Sequence, residues 1–248
     1  MILTKIFIFL MGLIIGSYVN VCICRIPAKK SLKQFSNCTN CHHKLDFVEL
    51  IPIIGYFIND RKCKHCGESI SIKNPIVTLI TAFVFLFLFN HFGISISFFK
   101  YAVLACLLIT VSFIEMEIQE IPDELIIVCL IAGLLFNVYH MKIDMVSGII
   151  GFILGGSIFL CIATITQGAF GGGNIKYMAV LGLYMGWKLI IVIALLSFIL
   201  GAVVSIILKI SKLKGREEYL SLAPFIAIAA MAMIFYGQDL LQIYNNIL

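Results

Sequence analysis

Gly168-Ala169-Phe170-Gly171-Gly172-Gly173-Asn174-Ile175-Lys176 places three consecutive glycines between two long apolar segments and ends on polar residues. Glycine runs inside or beside membrane helices let helices approach closely or let the backbone approach a substrate. On the glycines alone, a flexible turn between helices is the plainer reading. About 50 residues upstream, again between apolar segments, lies Glu115-Met116-Glu117-Ile118-Gln119-Glu120-Ile121-Pro122-Asp123-Glu124. Together the two stretches suggest loops that meet at a membrane surface and build an active site.

The setting supports this. Of the 248 residues, 61% are hydrophobic and 12% charged, and the mean hydropathy is +1.08. Apolar residues in such long blocks exclude a soluble globular domain and indicate an all-α polytopic membrane protein. The net charge of +5 implies no nucleic acid partner, because Lys and Arg in a membrane protein mostly report topology. The partner implied by composition is a lipid bilayer. Eight spans are expected, near 2–23, 76–91, 97–114, 125–140, 146–167, 175–187, 189–208 and 222–237. The second and sixth are short for a hydrocarbon core that takes about 20 residues. The N-terminal run carries only Lys5 and no small-residue cleavage site, so it reads as a retained first helix and not as a signal peptide.

Positive charge orients the chain. With the 24–75 loop cytoplasmic, that side holds Arg25, Lys29, Lys30, Lys33, Lys44, Arg61, Lys62, Lys64, Lys73, Lys176, Lys209, Lys212, Lys214 and Arg216. The other side holds Lys5, Lys100, Lys142 and Lys188, a bias of fourteen to four. Both termini are then expected outside and both polar stretches at the cytoplasmic face. Three parts follow: a first transmembrane helix at 1–24, a cytoplasmic segment at 25–75, and a transmembrane domain at 76–248.

The 25–75 segment is too small to bury a convincing core and needs a staple. Cys38-Thr39-Asn40-Cys41 and Cys63-Lys64-His65-Cys66 form two CxxC turns separated by 21 residues. Four thiolates from two tight turns make the tetrahedral site that Zn²⁺ prefers, although this separation lies just outside the usual range. A reducing cytoplasm argues against disulfides. Two unrelated turns or a redox pair is the competing reading. With metal bound at Cys38, Cys41, Cys63 and Cys66, binding energy becomes folding energy.

Among the acids, Asp123 and Glu124 suit the positive end of a helix dipole after Pro122. Glu117 and Glu120 read as solvated. Glu115 directly ends an apolar run, where a carboxyl group is costly and tends to be functional.

At these residues the chain resembles the type IV prepilin peptidases, intramembrane aspartyl proteases with a GxGD signature that also N-methylate their product. Gly16-Ser17-Tyr18-Val19-Asn20 through Arg25-Ile26-Pro27 is similar to the family's G-S-F-x-N…R-x-P segment. The CxxC pairs resemble its zinc-binding, methyltransferase-associated loop. Ile114-Glu115 through Ile121-Pro122-Asp123 resembles I-D-x-x-x-x-x-I-P-D, and Gly171-Gly172-Gly173-Asn174-Ile175-Lys176 resembles G-x-G-D-x-K. Ala223-Pro224-Phe225 resembles a late (G/A)-P-F element.

By this resemblance Glu115 and Asn174 occupy the catalytic positions. Gly171, Gly172, Gly173, Lys176 and Asp123 belong to the active-site or substrate-binding loops. The resemblance implies a prepilin or pseudopilin substrate cut after a Gly at the cytoplasmic face of the bacterial inner membrane. It also implies S-adenosylmethionine as methyl donor, for which no residues are named, and Zn²⁺ in the cysteine loop.

Both catalytic positions depart from the family. Glu115 keeps the acid one methylene further out, and Asn174 keeps the size without the acid. A further acidic position, after Pro75, is Thr78. Two-carboxylate hydrolysis needs one ionised and one protonated group, and Asn can neither ionise nor deliver a proton. The expectation is an inactivated form, engineered or natural, with the architecture kept. Two other classes stay open. A non-catalytic, zinc-stabilised assembly factor fits the substitutions. A secondary transporter fits intramembrane acids, although the acids here cluster at one face and no repeat is evident.

Overall fold

The computed structural model describes residues 2–32, 41, 65–67, 71–139, 145–167, 171–211 and 221–247. Among them every regular element is an α-helix: α1 (Ile2–Arg25), α2 (Lys73–Phe92), α3 (Ile96–Ile118), α4 (Asp123–Tyr139), α5 (Met145–Ile165), α6 (Gly172–Ile210) and α7 (Ala223–Ile247). Six are long and apolar enough to cross a membrane, and α4, at 17 residues, is the exception. The chain is a multi-pass membrane protein whose described residues are all-helical.

Seven helices replace the eight expected spans because 175–187 and 189–208 lie in one helix. That helix is broken at Gly186, where φ is 78° and ψ 169°, a conformation that glycine adopts without the Cβ penalty. The expected boundary near 188 therefore marks a real interruption, but not a loop. Lys100, counted toward the outer side, lies in the first turns of α3, 3% exposed, with Nζ 5.9 Å from the Tyr101 ring centre. Most of 25–75, with Cys38 and Cys63, is outside the described residues. Cys41 and Cys66 are described, and both are exposed.

The contacts divide the chain into two compact units, Met1–Thr110 and Val111–Leu248, with the boundary inside α3. In the first unit α1 packs on α2. Gly12 and Gly16 make this possible: a Cβ on Gly12 would stand 2.6 Å from the Ala82 Cα, and one on Gly16 2.8 Å from the Thr78 Cα. Small residues four apart allow such approach where lipid supplies no hydrophobic drive. One turn on, Asn20 Nδ2 donates to the Asn74 carbonyl at 2.9 Å, to Thr78 Oγ1 at 3.0 Å and to the Gly16 carbonyl at 3.2 Å.

In the second unit α6 is the hub, packed against α5, α7 and α4. Gly151 of α5 and Gly182 of α6 meet backbone to backbone, and a Cβ on either would land on the other's carbonyl. Two polar groups of the unit bridge α4 and α6 near the break. Asn137 Nδ2 donates to the Leu183 carbonyl at 2.7 Å, and the Tyr184 hydroxyl donates to the Cys129 carbonyl at 3.0 Å.

Candidate active site

All of the site lies in the second unit, at the end of α3, the start of α6 and the start of α7. α3 runs past the expected end at 114, so Glu115 sits in its last turn and not beyond it. The helix stops at Gln119, whose φ of 57° turns the chain and whose N–H donates to the Glu115 carbonyl at 2.9 Å. Pro122 then precludes continuation, and α4 opens with Asp123 and Glu124 in its first turn, as their charge suits.

The glycine run is more helical than expected. Gly171 is the extended residue before α6, while Gly172 and Gly173 already form its first turn. The room at Gly173 is taken by Ile121, 2.9 Å from where a Cβ would be. That position therefore serves the approach of the Ile121-Pro122-Asp123 segment. Gly171 and Gly172 have open space at theirs.

This approach brings Glu115 and Asn174 together. Both are buried, at 4% and 6% exposure. Asn174 Nδ2 donates to Glu115 Oε1 at 2.6 Å, within the reach that a dyad requires. The second carboxyl oxygen, Oε2, accepts from the Ala223 backbone N–H at 2.6 Å, and the Ser221 hydroxyl donates to the Glu115 carbonyl at 3.1 Å. Among the described residues two buried side-chain polar atoms have no partner: Asn174 Oδ1 and, one turn along α6, the hydroxyl of Tyr177.

Lys176 and Asp123 form an ion pair at the surface, with Nζ 2.7 Å and 2.9 Å from the two Asp123 oxygens. Both side chains are more than half exposed. Asp123 is thus engaged by Lys176 at the surface. Glu117 and Glu120 are exposed.

The sequence reading missed Ser221, the Ala223 amide and Tyr177. The Ala223-Pro224-Phe225 element was visible but carried no role, because a backbone N–H leaves no signature in side-chain chemistry. What the arrangement offers chemically is one buried carboxyl group facing donors, one of them the amide of Asn174.

Comparison with known proteins agrees with this architecture. Residues 10–92 match the Bacterial Peptidase A24 N-terminal domain, and residues 102–206 match the Type IV leader peptidase family. The prepilin leader peptidase/N-methyltransferase of Bacillus subtilis (strain 168) is 32% identical over 238 residues, covering 96% of this chain and 96% of that protein. The protein of the same name from Pseudomonas aeruginosa is 27% identical over 266 residues, covering 95% of this chain and 91% of that protein. That of Aeromonas hydrophila is 25% identical over 267 residues, covering 96% and 92%. No solved structure matches the chain. Two family domains in order and a full-length relative at this identity place the chain in the type IV leader peptidase family, among the prepilin leader peptidase/N-methyltransferases.

Proposed function

We propose that this chain is a prepilin leader peptidase/N-methyltransferase whose peptidase pair is chemically incomplete. It holds a prepilin or pseudopilin leader but cleaves it little or not at all. The observation that carries this reading is the 2.6 Å bond from Asn174 Nδ2 to Glu115 Oε1. The two positions meet as a working aspartyl pair would, yet only one can exchange a proton at neutral pH. Among the described acids, Asp123 is paired with Lys176.

The remaining assignments follow the family. The substrate's basic leader approaches from the cytoplasmic face of the inner membrane, and the acidic stretch at 115–124 favours it at long range. The bond at issue follows a Gly. Gly171, Gly172, Gly173, Lys176 and Asp123 would belong to the loops that meet the substrate.

For the metal, Cys38, Cys41, Cys63 and Cys66 would hold Zn²⁺. The two described members, Cys41 and Cys66, offer exposed thiols in turns, which is the donor type zinc takes. Bound there, zinc would staple the 25–75 segment. S-adenosylmethionine would supply the methyl group for the new N-terminal amine, a step that does not depend on residues 115 and 174.

Two assays of the full chain in detergent or liposomes test the proposal. A prepilin should bind and remain uncut, and a pilin supplied with its leader already removed should be methylated. Cleavage by the unaltered chain as fast as by its Glu115→Asp/Asn174→Asp counterpart contradicts the reading. So does failure to bind a leader at all, the behaviour of a transporter.

A further inference from the structure

The start of α7 enters the site through its backbone. Glu115 Oε2 accepts from the Ala223 N–H and Oε1 from Asn174 Nδ2, both at 2.6 Å. Both oxygens therefore face donors, a setting that matches the acceptor-only, ionised form of the group. A buried charge is tolerated only where hydrogen bonds replace its water. The first N–H groups of a helix are donors with no partner inside the helix. Glu115 and α7 thus satisfy one another, and the Ser221 hydroxyl ties the same turn to the Glu115 backbone.

Asn174 behaves differently. Its amide nitrogen points at Glu115, and its buried oxygen has no partner among the described residues. In that pose it has the shape of a neutral aspartic acid whose O–H faces its neighbour.

We propose that the Ala223 N–H is a positioning group of the peptidase site: it holds the carboxylate at 115 as proton acceptor and so places the pair's proton at 174 whenever an acid stands there. This rests on the reading of 115 and 174 as the peptidase pair. With Asp at 174, water adds to the scissile carbonyl. One water proton passes to the carboxylate at 115, and the carboxyl proton at 174 passes to the carbonyl oxygen. Collapse of the diol sends the proton from 115 to the leaving nitrogen and returns a hydroxyl proton to 174. Water is the only co-reactant.

Two measurements test this. First, the infrared difference spectrum between the unaltered chain and Glu115→Gln reads the state of Glu115 without any turnover. The expected difference shows the stretches of an ionised carboxylate. These shift in Ala223→Pro, which removes the N–H, and stay in place in Ala223→Gly, which keeps it. A neutral-acid carbonyl band, or a carboxylate band that Ala223→Pro leaves unmoved, overturns the proposal.

Second, in the full chain carrying Asn174→Asp, Ala223→Pro lowers kcat on a prepilin by about tenfold or more with KM within about twofold, while Ala223→Gly keeps both. Proline is tolerated at a first helical position. Equal losses in the two variants, or an unimpaired Ala223→Pro, overturn it. If the Glu115→Asp/Asn174→Asp chain is itself inert, the peptidase reading fails, and the infrared result still decides where the charge sits.

Discussion

Two asparagines stand at the ends of two similar stripes. In α1, Gly12, Gly16 and Asn20 recur every four residues, and all three face α2. In α6, Asn174, Met178, Gly182 and Gly186 recur every four residues. There the Met178 and Gly182 carbonyls pack against the α5 glycines Gly155 and Gly151. The asparagines end differently. Asn20 completes the packing of its own helix pair, with its amide nitrogen shared among three acceptors. Asn174 turns to a carboxyl group on a third helix and leaves its buried oxygen unsatisfied. Native proteins leave few buried polar atoms unpartnered, and those few tend to mark functional sites. The same local pattern therefore serves architecture in one unit and places a buried amide against a carboxyl group in the other.

Substitutions can break or sharpen that contrast. The largest effect on stability is expected at Gly182→Ala, whose new methyl meets the Gly151 backbone, which cannot rotate away. It should lower stability by about 3 kcal/mol or more, read as loss of folded protein in thermal denaturation. Wild-type stability in this variant would mean that α5 and α6 are not locked. Asn20→Leu removes the amide that joins α1 to α2 and should cost about 1–2 kcal/mol. A smaller loss than from Asn174→Leu would reverse the comparison.

Two tyrosines on α6 give a finer test. Tyr184→Phe loses its bond to the Cys129 carbonyl and should cost about 1 kcal/mol. Tyr177→Phe removes a hydroxyl with no partner and should be neutral or slightly stabilising. Equal losses at the two positions would show that Tyr177 has a partner after all.

The sequence made some of this legible and not the rest, for physical reasons. Apolar blocks and hydropathy set the helices and located the interruption near Trp187-Lys188, because a break in a membrane helix shows as small and charged residues. They did not separate a loop from the single positive φ at Gly186. The juxtaposition of positions 115 and 174 was readable from two motifs.

The helical position of Glu115 was not, since Gln119 ends α3 through a φ that no side-chain pattern announces. The contact at Gly173 was not readable for a similar reason: its neighbour, Ile121, is distant in sequence. The Ala223 amide and the Lys176–Asp123 pair are tertiary facts. That exposed pair is worth little in stability, about 0–1 kcal/mol. Half of the cysteine assignment, Cys38 and Cys63, lies outside the described residues, so the zinc site remains a proposal.

The most direct test of the account is a cleavage assay of a full-length prepilin at matched amounts of folded enzyme. It compares the unaltered chain with Glu115→Asp, Asn174→Asp and the double variant. The account predicts no leader release above background by the unaltered chain or by Glu115→Asp, and clear release by the double variant, a gain of at least a hundredfold. Release by the unaltered chain at the double variant's rate would contradict it.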